Sequence, residues 1–123
     1  MQKITASEAF DMLNTTNALL VDVREGMEYF DKRCRIENLK HIPFRQIDET
    51  DLNIPPQTPI IVVCTLGLHG EEAATKLQAK GYANTYYIEG GILAWQAAQL
   101  PMFSLEEEIE KNLQCHCSKE KSK

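Results

Sequence analysis

Apolar positions in this chain follow two rhythms. Ala18–Val21 and Ile60–Val63 are unbroken apolar runs too short for helices, the pattern of strands buried on both faces. Leu39–Pro43 and Thr85–Ile88 read as two further short strands. Helical spacing predicts a first helix over Ser7–Leu13, capped by Ser7 and carrying Ala9, Phe10 and Leu13 on one side. A second helix is expected over Gly26–Asp31, with Met27 and Phe30 on one side. A third spans Gly70–Lys80, where Ala73, Ala74 and Leu77 make the apolar stripe and Gly81 ends it as a C-cap. Gly90 and Gly91 predict a turn into a fourth helix, Ile92–Ala98, that buries Trp95. Ile54–Pro59, with its prolines, must be an extended connection. Ser104 stands three residues before Glu107, the spacing of a capping box, and so starts a polar C-terminal helix.

Short buried strands alternating with helices imply an α/β domain around a mostly parallel sheet. Such sheets hold their ligands beyond the carboxyl ends of the strands. At 123 residues the chain suffices for one core. The net charge of −5, with basic residues scattered apart from a KEKSK tail, excludes the phosphate-tracking stripe of a nucleic-acid binder. No run approaches the roughly 20 apolar residues that a bilayer needs, so no membrane partner is expected and the protein is read as cytoplasmic. The four cysteines, Cys34, Cys64, Cys115 and Cys117, have neither the density of a disulfide framework nor paired C-x-x-C zinc spacing. Reduced thiols are expected.

The stretch Ile60–Gly70 reads IIVVCTLGLHG, a buried strand running into a cysteine and a loop with two glycines. A loop this tight turns amide N–H groups toward its centre, and the helix behind it adds the positive end of its dipole. An anion is favoured there, and the most economical one is the thiolate of Cys64, the form that attacks sulfur and carbon electrophiles. The alternative is an inert cysteine buried at a strand end. The residues alone leave both open.

Four segments in order, LLVDVREGMEYF, RIENLKHIP, IIVVCTLGLHGEEAATKLQAKGY and YYIEGGILAWQAAQLP, resemble the hallmark segments of single-domain rhodaneses, the sulfurtransferase family. The resemblance spans Ile4–Pro101. It implies a rhodanese-like doubly wound α/β fold with helices on both faces, taken as residues 1–103; beyond it, the residues themselves predict a C-terminal helix and a flexible Cys-His-Cys tail over 104–123. It implies further that the loop cysteine takes a sulfur atom from a donor, becomes a persulfide, and passes the sulfur to a nucleophilic acceptor such as a thiol. Cys64 is the matching residue. Thr65, Leu66, Gly67, Leu68, His69 and Gly70 would surround the donor, their amides steadying the persulfide's charge. No metal or organic cofactor is implied. Asp22 and Arg24 match the family's DVR element, where structural hydrogen bonds, a buried ion pair or a strand-end cap are expected.

Within the loop the chain departs from its family. Members active on thiosulfate commonly have arginine after the cysteine and a cation at the sixth loop position, where this chain has Thr65 and His69. Histidine titrates near neutrality and supplies less positive charge than arginine. Polysulfide, or a persulfide on a protein or small molecule, is therefore the expected donor in preference to thiosulfate. At Gly70 the family often has Ser or Thr, and the hydroxyl is missing here. The related cell-cycle phosphatases have a longer loop ending in arginine, and its absence here argues against phosphoryl transfer. Two other readings stand beside the enzyme: a non-catalytic binding module of the same fold, and a thiol redox or metal-handling protein centred on Cys115, His116 and Cys117. Cys34 is expected to be a packed thiol.

Overall fold

A computed structural model of the chain describes residues 2–65 and 68–121, with the backbone alone for Leu68 and for residues 114–121. The strands are β1 (Gln2–Ile4), β2 (Leu19–Asp22), β3 (Lys32–Cys34), β4 (Leu39–His41), β5 (Ile60–Val63), β6 (Thr85–Ile88) and β7 (Met102–Ser104). The helices are α1 (Ala6–Thr15), α2 (Gly26–Asp31), α3 (Leu68–Ala79), α4 (Gly91–Ala97) and α5 (Leu105–Lys121), with a 3₁₀ turn over Phe44–Gln46. Five strands form an all-parallel sheet in the order β1-β6-β5-β2-β4, while β3 and β7 make a separate antiparallel pair.

β5 is central because it is the most uniformly apolar strand, and Ile60, Ile61, Val62 and Val63 are each 0% exposed. Burying such side chains contributes about 1.5–3 kcal/mol apiece. On one sheet face, α1 and α4 cover Leu20, Ile61, Val63 and Ile88, with Trp95 at the centre and Phe10 meeting its ring edge-on at 5.8 Å. On the other, Ala73, Ala74 and Leu77 of α3 join Ile47 and Leu52 over Val21, Ile60 and Val62. Helices on both faces of a parallel sheet make the doubly wound fold expected from the alternation.

The chain runs outward from β2 to β4, then crosses back to β5 on the other side of β2. Strand order therefore reverses between β2 and β5, where open parallel sheets place their ligand crevice. Asp22 and Val63 are register partners at that point, so the segments after both strands leave the sheet side by side.

The structure corrects several expectations. Thr5, not Ser7, caps α1: its hydroxyl accepts from the Glu8 amide at 3.1 Å while its own amide donates to the Glu8 carboxylate at 2.9 Å. This reciprocal capping box outcompetes a lone Ser two residues on. α3 begins at Leu68, so His69 and Gly70 sit in its first turn rather than in the loop. α2 has the expected bounds, and its Met27 and Phe30 face solvent, 87% and 65% exposed. β1, β3 and β7 carry no apolar run and form by pairing with distant segments. The Glu107 amide reaches the Ser104 hydroxyl at 3.5 Å, and Ser104 itself closes β7.

Candidate active site

Cys64 is the first residue after β5 and lies at the β2/β5 crevice. It is 5% exposed and lines a cavity of about 320 Å³ together with Arg24, Glu28, Phe44, Thr65 and His69. Its position thus joins the two environments weighed for it, packed below against the apolar cluster of α3 and open above to the cavity.

The glycine pair before α4 fixes where the loop leaves the strand. Gly90 and Gly91 adopt φ of 75° and 59°, in the left-handed region that favours glycine. A Cβ on Gly91 would stand 2.2 Å from the Cys64 carbonyl oxygen and 2.7 Å from that of Thr65. Close approach lets the Ile92 amide donate to the Cys64 carbonyl at 2.7 Å and the Leu93 amide to the Thr65 carbonyl at 3.4 Å. The first turn of α4 therefore satisfies backbone that has just left the sheet and holds Cys64 against its strand.

Asp22 and Arg24 form the side of the crevice next to β2. Asp22 is 0% exposed and accepts the Arg24 guanidinium at 2.9 Å and 3.1 Å, as well as the Arg24 amide at 3.0 Å. The same guanidinium donates to the Lys32 carbonyl, tying β3 to the sheet. His41 donates its Nε2 hydrogen to the Arg24 carbonyl at 2.7 Å, and its ring stacks on Tyr29 at 4.1 Å. A charge this deep is tolerable only with its partner and full hydrogen bonding, so the pair is a crosslink between β2 and β3. Arg24 also reaches the cavity wall, although its charge is already matched by Asp22.

A rhodanese-like domain model matches residues 5–98, and the chain is 34% identical over 100 residues to the thiosulfate sulfurtransferase GlpE of Actinobacillus succinogenes, covering 81% of this chain and 88% of that one. The chain belongs to the rhodanese-like family. Its fold is that of the rhodanese-related protein of Thermoplasma volcanium, with a TM-score of 0.73, 24% identity, and coverage of 84% of this chain and 98% of that one. The polysulfide-sulfur transferase homodimer of Wolinella succinogenes shares the fold as well, with a TM-score of 0.72 at 23% identity over 84% of this chain and 78% of the other.

In this rhodanese-like domain the loop residues behave differently from one another. The Thr65 hydroxyl donates to the Glu28 carboxylate at 3.0 Å. The His69 ring is exposed and stacks on Phe44 at 4.9 Å and 15°. Gly70 lies against the sulfur, since a Cβ there would be 3.8 Å from Cys64 Sγ and 3.5 Å from Tyr87 Cβ, an ordinary contact distance. Leu66 and Gly67 lie outside the described residues, as does the side chain of Leu68. Glu25, Glu28, Phe44 and Arg45 also line the cavity and were not among the residues singled out from sequence. They come from α2, its cap and the 3₁₀ turn, and only the DVRE context of Glu25 hinted at a place near the site.

Cys34 is the opposite kind of thiol. It is 1% exposed, and burial, helped by the charge of Asp22, pushes its pKa up to about 12. Neither it nor Cys64 forms a disulfide. The side chains of Cys115, His116 and Cys117 lie outside those described, although α5 continues through them to Lys121. Among the described residues no group of three His, Cys, Asp or Glu side chains is arranged to hold a metal, and no helix is long and apolar enough to cross a membrane.

Proposed function

We propose that this protein is a sulfurtransferase or sulfur-relay protein that carries sulfane sulfur as a persulfide on Cys64. The observation that carries the reading is the position of Cys64, at the carboxyl end of a buried parallel strand, on the wall of a cavity at the topological switch point. Membership of the family and its relatives named as thiosulfate sulfurtransferases support it. In the transfer, the Cys64 thiolate attacks the terminal sulfur of the donor, a new S–S bond forms, and the donor fragment leaves with the electron pair of the old S–S bond. An acceptor thiolate then takes that sulfur by the same displacement and regenerates Cys64. No net oxidation of the protein occurs and the cycle calls for no cofactor.

Thr65 to Gly70 border the reacting sulfur in this reading, while Asp22 and Arg24 hold the scaffold. The donors that fit best are polysulfide and persulfides of proteins or small thiols, ahead of thiosulfate. Arg24 is matched by Asp22 at 2.9 Å, Arg45 by Glu25 at 3.6 Å, and His69 stands where a stronger cation would hold the two charges that thiosulfate concentrates on one small ion; a persulfide carries a single charge and a polysulfide places its two at opposite ends of a chain. Catalysis resides in residues 1–103, with the helix and Cys-His-Cys tail of 104–123 an accessory, and the setting is cytoplasmic.

The test is mass spectrometry of the reduced protein after exposure to polysulfide and, separately, to thiosulfate. One added sulfur on the Cys64 peptide, absent in Cys64→Ser and larger with polysulfide, is expected. Sulfur appearing only on Cys115 or Cys117 would refute the assignment and favour a thiol relay in the tail.

A further inference from the structure

The charges around the cavity do not cancel. Besides Cys64 and His69, the ionisable side chains on its wall are Arg24, Glu25, Glu28 and Arg45. Arg24 is consumed by Asp22 at 2.9 Å and Arg45 faces Glu25 at 3.6 Å. Glu28 has no such partner. Among the described residues no Lys, Arg or His nitrogen lies within 4.0 Å of its carboxylate, and its contact is the Thr65 hydroxyl at 3.0 Å. Glu28 also borders the neighbouring cavity on the α4 side, where Asp31 and Lys32 bring one charge of each sign. The residue that follows Cys64 therefore holds an unneutralised negative charge at the entrance to the sulfur.

We infer that Glu28 is a specificity determinant, a carboxylate bonded to Thr65 that disfavours anionic reagents at Cys64 in proportion to the charge they bring to the cavity, compact dianions such as thiosulfate most of all and singly charged or neutral donors least. The substrate class rests on the sulfur-transfer reading; the effect on Cys64 itself does not. Glu28 is itself exposed, and the bond from Thr65 biases its carboxylate toward the cavity, where water and salt screen its charge only in part. α2 suits the role, being a helix without buried residues that is free to present its polar side to the crevice.

The experiment compares paired reagents that differ by one unit of charge, on wild type and on Glu28→Gln, which keeps an acceptor for Thr65 and loses the charge. Iodoacetate and iodoacetamide alkylate the same thiol, one anionic and one neutral. A unit charge on the wall of the same cavity, at an effective dielectric of roughly 40–80, changes the ratio of their rates about two- to tenfold. In Glu28→Gln the iodoacetate-to-iodoacetamide ratio at Cys64 rises by that factor at low ionic strength, and the gain fades at about 0.5 M salt. Thiosulfate and methanethiosulfonate form the matching donor pair, losing sulfite and methanesulfinate respectively when Cys64 takes their sulfane sulfur. The thiosulfate-to-methanethiosulfonate ratio of kcat/KM, read as thiocyanate formed from cyanide, rises by a similar factor. Glu28→Ala, which deletes the carboxylate differently, shifts the alkylation ratio in the same direction. An alkylation ratio unchanged in both variants overturns the assignment. If the ratio shifts and no donor loads sulfur onto Cys64, the sulfur-transfer reading fails while the electrostatic role of Glu28 stands.

Discussion

Gly91→Ala probes the contact on which the placement of Cys64 depends. At φ of 59° an L side chain costs about 1–2 kcal/mol. The new Cβ would stand 2.2 Å from the Cys64 carbonyl oxygen, so α4 and the loop must separate by about 1 Å. Separation weakens the 2.7 Å bond from the Ile92 amide, worth about 1 kcal/mol, and disturbs packing worth about 1–3 kcal/mol more. The sum is a loss of about 3–6 kcal/mol, equivalent to a fall in Tm of roughly 10–25 °C. Gly81→Ala is the matched control, with a positive φ of 107° but nothing within 4 Å of the added methyl, so it carries the backbone cost alone. Urea unfolding of both variants gives the energies, and sulfur loading from polysulfide in the folded fraction gives the effect on the site. A displacement of about 1 Å at a nucleophile is expected to slow loading by up to about a hundredfold in Gly91→Ala and to leave Gly81→Ala near wild type. Equal destabilisation by the two substitutions, with unchanged loading in Gly91→Ala, would refute the clamp.

Two further outcomes follow from buried groups. Cys34 has a folded pKa of about 12 against 9.0 for the free thiol, so the folded state keeps its proton where the unfolded chain releases it. That contribution is whole below about pH 9 and declines by about 1.4 kcal/mol per unit as pH climbs toward about 12; the stability gap between wild type and Cys34→Ser should narrow at that slope, and parallel pH profiles would contradict it. Arg24→Ala strands a carboxylate that is 0% exposed and should cost about 3–5 kcal/mol in chemical denaturation. Adding Asp22→Asn should restore part of this, and a loss below about 1 kcal/mol in the single variant would show that the pair is not the crosslink described.

β2 and β5 were legible because a strand buried on both faces must be apolar throughout, and Leu19–Asp22 and Ile60–Val63 bear that mark almost residue for residue; β6, Thr85–Ile88, showed instead the β-branched and aromatic residues that favour strands. α4 and its glycine turn were legible for a related reason: left-handed backbone leaves few residue choices besides glycine. β1 was not, since only Ile4 of its three residues is buried and its partner is Tyr86–Ile88, far along the chain. β3 and β7 were hidden likewise, pairing Lys32 with Ser104 across most of the sequence. Helical spacing located α2 and put Met27 and Phe30 on one side, but it does not report whether anything covers that side, and both are exposed.

The candidate site divides along the same line. A strand driven into cysteine and a glycine loop is a local pattern, and so are Asp22 and Arg24 two residues apart at the end of a buried strand; both could be read in order along the chain. The order of the strands was not written locally. Only folding set β5 beside β2, brought Gly91 against the Cys64 carbonyl, and led Glu28 of α2 to the Thr65 hydroxyl. Short-range preferences of backbone and side chain select elements one at a time, so sequence alone determined the inner strands β2, β5 and β6, the helices and where the thiol stood, while β1, β3 and β7 waited on distant partners. The charge that surrounds that thiol is a sum over residues distant along the chain, and tertiary packing alone decided it.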